Sequence, residues 1–118
     1  MEEKKSFLKQ KIDVDSPNRN IVPITTSIGG DGKLSVGGCS IEELVKKYDS
    51  PLYILDEFTL RKSCRAYKKA LEKYYPGESL PIYASKANSS IFMSNLVSSE
   101  GLGPVSYTHL RAHETDLN

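Results

Sequence analysis

The sequence predicts an α/β fold, and three observations predict it. Two short apolar runs, residues 52–55 and 80–86, read as strands. A long stretch between them repeats its apolar residues at helical spacing, and a second helical pattern follows the second run. The chain has 118 residues, which is at most one domain. A connection of this length between two apolar strands makes a right-handed βαβ unit with parallel strands.

Composition narrows the function classes. The chain is 26% charged and 38% hydrophobic, with a formal charge of +1. So small a net charge offers no electrostatic attraction to nucleic acid or to an anionic membrane. No apolar run approaches the ~20 residues of a membrane span. The first residues, Met1-Glu2-Glu3-Lys4-Lys5, mix acid and base and lead into no long apolar region, unlike a secretory signal. Cys39 and Cys64 form no CxxC pair and have no histidine nearby, so neither a zinc site nor a disulfide framework is expected. The expectation is a reduced, cytoplasmic protein.

Along the chain, residues 1–33 show no sustained period and read as an irregular lead-in with one or two short strands. Ser16-Pro17-Asn18-Arg19-Asn20 and Gly29-Gly30-Asp31-Gly32 are turn signals. The glycine cluster precedes no helical pattern, so it is a turn rather than a phosphate cradle. Leu34-Ser35-Val36 alternates and meets Gly37-Gly38, a short strand ending in a turn. Ser40-Ile41-Glu42-Glu43 fits a capping box, in which the Ser40 hydroxyl accepts from the Glu43 amide. Ile41, Leu44, Val45 and Tyr48 then share one helical face. Ser50-Pro51 ends that helix, because the residue before proline is pushed out of the α region.

Leu52-Tyr53-Ile54-Leu55 is short enough for a strand buried on both faces. Asp56 follows as a helix N-cap. Leu60, Cys64, Tyr67, Leu71 and Tyr74 mark one stripe of the helix beyond it. Arg61, Lys62, Arg65, Lys68, Lys69 and Lys73 cover the rest. With no aromatic platform among them, these cations read as the solvated side of an amphipathic helix rather than a nucleic-acid patch. Pro76-Gly77 stops the helix. After the second strand, Ser89 or Ser90 caps a third helix with Phe92, Leu96 and Val97 as its apolar contacts. Gly101 falls where a left-handed C-terminal residue is expected.

One residue in the second strand is chemically out of place. Leu80, Ile82, Ala84 and Lys86 share a strand face, since side chains alternate. Lys86 therefore ends a face of small and apolar residues at the C-terminal end of a parallel strand, where α/β active sites sit. Spacing alone leaves open a plain solvent-reaching lysine. Turned inward, the amine would be pushed toward its uncharged, nucleophilic form by burial and suited to condensing with an aldehyde.

The end of the sequence reads differently. Residues 105–115, Val105 to Thr115, resemble letter for letter one reading frame of a transposase-type DNA-sequencing adapter. Residues 104–118 are accordingly expected to be a non-native tail. Both histidines, His109 and His113, lie there beside Glu114. Their i, i+4 spacing would suit a metal pair, but the adapter reading removes it and no metal site is expected. Residues 1–103 then hold 15 Lys/Arg and 13 Asp/Glu, a net of +2, and no histidine.

Tyr83-Ala84-Ser85-Lys86-Ala87-Asn88 resembles the Tyr-Ala-x-Lys-Ala-Asn signature of the decarboxylases that bind pyridoxal 5′-phosphate in an α/β barrel. Pro51-Leu52-Tyr53-Ile54-Leu55-Asp56 is similar to the first barrel strand of that family. Thr59-Leu60-Arg61 and Cys64-Arg65-Ala66-Tyr67 are similar to its first helix. Glu100-Gly101-Leu102-Gly103 is similar to the entry into its third strand. Within the group the resemblance is greatest to the diaminopimelate decarboxylases. It covers residues 34–103 well and 1–33 loosely.

The resemblance implies an N-terminal fragment of a pyridoxal-phosphate-binding (β/α)8 barrel. Residues 34–103 would start the barrel with its first two βα units, and residues 1–33 would be a lead-in belonging to the β-domain of the full protein. It implies Lys86 as both the catalytic residue and the one that binds the cofactor, an amino-acid substrate, and a homodimer in the full-length protein. The implied reaction converts meso-diaminopimelate to L-lysine and CO2. Ornithine or arginine decarboxylation, and a non-catalytic barrel that binds the same cofactor, are the alternatives. The family's remaining site residues fall beyond residue 103, so the fragment itself is expected to be inactive and to fold poorly alone, with strand edges uncovered.

Overall fold

The computed structural model describes residues 20–105. They fall into two compact units that divide between Leu60 and Arg61, inside one helix.

In the first unit, β1 (Ser27–Ile28), β2 (Leu34–Val36) and β3 (Cys39–Ser40) make a small antiparallel sheet in the order β1-β2-β3. Ser27 faces Ser35, and Val36 faces Cys39. Two glycines with positive φ, Gly37 at 59° and Gly38 at 81°, make the two-residue connection from β2 to β3, which needs that backbone. The Gly37 amide donates to Thr25 Oγ1 at 2.9 Å, tying the hairpin to the lead-in.

Helix α1 (Ile41–Tyr48) follows directly. Ser40 stands at its N-cap, but its hydroxyl makes no capping bond. The capping box read from the sequence is therefore not closed, although Ser40 holds the extended backbone of an N-cap, φ −66° and ψ 127°. Lys33 instead bonds Glu42 in the helix's first turn at 2.9 Å. The helix ends at Tyr48, and Asp49 takes a φ of 68° before Pro51.

Residues 52–55 are the main departure from expectation. They form no strand, and Tyr53 is 99% exposed. A strand is defined by its ladder, and these residues have no ladder partner among the described ones. The expected βαβ unit from residues 52–55 to 80–86 is thus not formed among the described residues.

The helix cap after them does form. The Thr59 amide donates to Asp56 Oδ2 at 3.1 Å, at the start of α2 (Glu57–Tyr74). The Thr59 hydroxyl also bonds that carboxylate, and it accepts the Ile24 amide at 3.0 Å.

The second unit holds the parallel pair. β4 (Ile82–Ala84) and β5 (Gly103–Val105) run parallel, with Ile82 beside Gly103 and Ala84 beside Val105. Helix α3 (Ile91–Ser99) connects them, so the βαβ connection lies one helix later than expected. Pro104 and Val105, where the adapter-like stretch begins, complete β5. The rest of that stretch, with His109, His113 and Glu114, lies outside the described residues, as does most of the 1–33 lead-in.

Every buried apolar side chain among the described residues is in this unit: Cys64, Met93, Leu96, Val97 and Leu102. Leu96 and Val97 are inside as expected, but Met93 takes the place assigned to Phe92, which is half-exposed. Ser90 caps α3, its hydroxyl accepting the Met93 amide at 3.3 Å. At the far end Gly101 adopts φ +83°. The Leu102 amide reaches Val97 O at 2.9 Å and the Gly101 amide reaches Ser98 O at 3.0 Å. This is the paired Schellman closure, with Leu102 tucked in behind it. It turns the chain straight into β5.

Two helix α2 cations are not merely solvated. Arg61 and Arg65, one turn apart, both grip Glu100, each at 2.8 Å. The side chain of Glu100 is only 9% exposed. Hydrogen bonds from Arg65 and then Arg61 hold its carboxyl below the ordinary value of 4.5. A depressed folded-state pKa contributes stability above the unfolded value and loses it as pH falls through the folded one. Replacing Glu100 with Gln is therefore expected to lower the unfolding midpoint at pH 7. The variant and parent should converge as the pH drops below 4.5, which thermal unfolding across pH would record.

Candidate functional site

Lys86 occupies the middle of a 3₁₀ turn, Ser85–Ala87, directly after β4. This corrects the expectation that it shares the strand's alternating face. The strand ends at Ala84, and past that point the two-residue alternation no longer fixes side-chain direction. The placement at the C-terminal end of a parallel strand holds. Lys86 is exposed, so the described residues do not make the dry surroundings that an inward lysine was expected to have.

Burial along β4 shows which face this unit covers. Tyr83 is half-buried and Ser85 buried, whereas Leu80 is 63% and Ile82 62% exposed, with Ala84 also open. The odd-numbered face is packed by the unit's own residues. The even-numbered face, with its small and apolar side chains, has nothing over it among the described residues. A surface of this kind is normally covered in the complete protein.

The turn carrying Lys86 is tied on both sides. The Tyr83 hydroxyl donates to the Asn88 carbonyl oxygen at 3.1 Å, spanning Lys86 from strand to helix. The Asn88 side chain accepts the Ser90 amide through Oδ1 at 3.0 Å, and Ser90 then caps α3. Sequence reasoning singled out Lys86 but gave Tyr83 and Asn88 no part. The Asn88-Ser89-Ser90 run was a readable signal, since Asn commonly bonds the backbone two residues on. The reach of the Tyr83 hydroxyl across the turn had no local signal.

The donor chemistry fits pyridoxal phosphate at one point. Lys86 offers a primary amine, open to a ligand and without an ion-pair partner among the described residues. No group of three or more His, Cys, Asp or Glu among those residues could hold a metal ion. Cys64 is no rival nucleophile: burial, and then the Glu100 charge, raise its thiol above the ordinary value. Within the described residues no helix is long and apolar enough to cross a membrane.

No family model matches the sequence. Comparison with individual curated proteins is more informative. The chain is 48% identical over 88 residues to a diaminopimelate decarboxylase of Synechocystis, a match covering 75% of this chain and 19% of the relative. It is 36% identical over 78 residues to that of Bacillus methanolicus, covering 66% and 18%. With the enzyme of Archaeoglobus fulgidus it shares 34% over 73 residues, covering 62% and 16%. An 88-residue match in a chain of 118 cannot begin after residue 31 or end before residue 88, so it includes Tyr83 to Asn88. The chain spans less than a fifth of the length of these relatives. It belongs, as a piece of that length, to the diaminopimelate decarboxylase family.

Proposed function

We propose that the complete protein removes CO2 from meso-diaminopimelate to give L-lysine, and that Lys86 is the residue through which it holds pyridoxal 5′-phosphate. The observation that carries this reading is the 48% identity over a stretch that includes the lysine hexapeptide. The parallel β4–α3–β5 arrangement, with its open even-numbered face, agrees with a segment of an α/β barrel whose other strands lie outside the described residues.

In this reading each element has a task. β4 presents the turn at its C-terminal end, and the Lys86 amine there would hold the cofactor. When bound, the cofactor supplies an electron sink for the charge left as CO2 departs. The Lys86 amine would also be the group at the end of β4 that carries a proton during product release. Residues 80, 82 and 84 line the interior beneath the site and exclude water from it. Most of the substrate contacts belong to the rest of the protein, which we take to be a cytoplasmic homodimer.

The test is CO2 release by the full-length protein from meso-diaminopimelate, ornithine and arginine. The reading expects turnover of the first in clear excess over the other two. Preference for either of the others would overturn the substrate, and no CO2 from any would overturn the reaction.

A further inference from the structure

Resting on the reading of Lys86 as the cofactor-holding residue, we propose that Tyr83 and Asn88 are positioning residues that fix the backbone of Lys86 for capture of the aldehyde. Capture is a condensation: the Lys86 nitrogen bonds the aldehyde carbon, and the carbonyl oxygen leaves as one water. The lysine side chain is long and flexible, so its aim depends on where its own backbone is held. A 3₁₀ turn of three residues has few internal hydrogen bonds to hold it. Here the turn is closed from outside.

The Tyr83 hydroxyl bridges to the Asn88 carbonyl across it at 3.1 Å. Tyr83 is on the packed face of β4, so this bond fastens the turn to the covered side of the sheet. Asn88 Oδ1 takes the Ser90 amide at 3.0 Å, and the Ser90 hydroxyl takes the Met93 amide at 3.3 Å. Met93 is a buried residue of α3. Lys86 is thereby held between a strand and a helix that are both packed, while its own side chain stays exposed. Pre-set geometry of this kind raises the rate of a condensation without touching the reacting atoms.

The experiment uses the full-length protein stripped of cofactor, with added pyridoxal phosphate as the probe. Capture is followed by absorbance, and borohydride trapping with peptide mapping identifies the labelled residue. Tyr83→Phe keeps the ring and loses only the donor. Asn88→Ala loses the acceptor, and Asn88→Asp retains it. Expected are capture rates about tenfold slower for Tyr83→Phe and Asn88→Ala, the scale of one net hydrogen bond. Asn88→Asp should restore the rate to within about twofold, since it keeps the acceptor oxygen. Parent-like rates in both Tyr83→Phe and Asn88→Ala, with label still on Lys86, would overturn the positioning role and leave the reading of Lys86 intact. So would slowing in Asn88→Asp equal to that in Asn88→Ala. Label on another residue in the parent would instead remove the reading on which the proposal rests.

Discussion

Replacing Lys86 with alanine in the full-length protein is expected to lower decarboxylation at least about a thousandfold, equivalent to about 4 kcal/mol of transition-state stabilisation. Lys86 is the residue assigned to hold the cofactor, and alanine offers no amine. The fold should scarcely notice. Lys86 is exposed and lies in a turn held by Tyr83 and Asn88 rather than by its own side chain. Surface replacements of this kind usually change stability by less than about 0.5 kcal/mol. The informative pair of measurements is CO2 release from meso-diaminopimelate and the unfolding midpoint of parent and variant both stripped of cofactor, so that bound cofactor does not itself shift the midpoint. Large loss of the first with the second unchanged is the expected result, and turnover within tenfold of the parent would contradict it.

Leu96→Ala is expected to have the largest effect on stability, a loss of about 3 kcal/mol. Leu96 is 2% exposed and neighbours Val97, at 1%, on the buried side of α3. Truncation removes the transfer energy of the lost methyl groups and leaves a cavity that a packed helix only partly fills. Phe92→Ala on the same helix should cost about 1 kcal/mol or less, because Phe92 is already half in solvent. Urea unfolding of both variants in the full-length protein would compare them. Equal losses would mean that the rest of the protein covers Phe92 as fully as this unit covers Leu96.

The contrast between those two residues shows what the sequence could and could not convey. Phe92, Leu96 and Val97 fit a helical stripe, yet α3 buries Met93 instead of Phe92. A stripe fixes which residues cluster on a helix, but the neighbours fix which edge of the cluster is covered. The ends of the helices were more legible. Asp56, Ser90 and Gly101 each perform the terminal role their residue type suggests, since caps are local chemistry between residues three to five apart.

Residues 52–55 failed for the opposite reason. Their apolar run is strand-like in composition, but strand formation is a property of pairs, and no ladder partner for them is among the described residues. Ser40 has the residue type and the extended backbone of a cap, yet its hydroxyl makes no capping bond. For the candidate site the sequence offered a single reactive group. The hexapeptide identified Lys86 by resemblance, while the strand alternation used to orient it stopped two residues short, at Ala84. The grip of Arg61 and Arg65 on Glu100 joins positions more than thirty residues apart, beyond any periodicity argument.

The central claim is that the Lys86 amine at the end of β4 is the point at which this protein takes hold of pyridoxal phosphate. Borohydride reduction of the full-length protein with its cofactor, followed by peptide mapping, measures this directly. A pyridoxyl group on Lys86, in the peptide containing Tyr83 to Asn88, is the predicted result. A pyridoxyl group on a different lysine, with Lys86 unmodified, would contradict it.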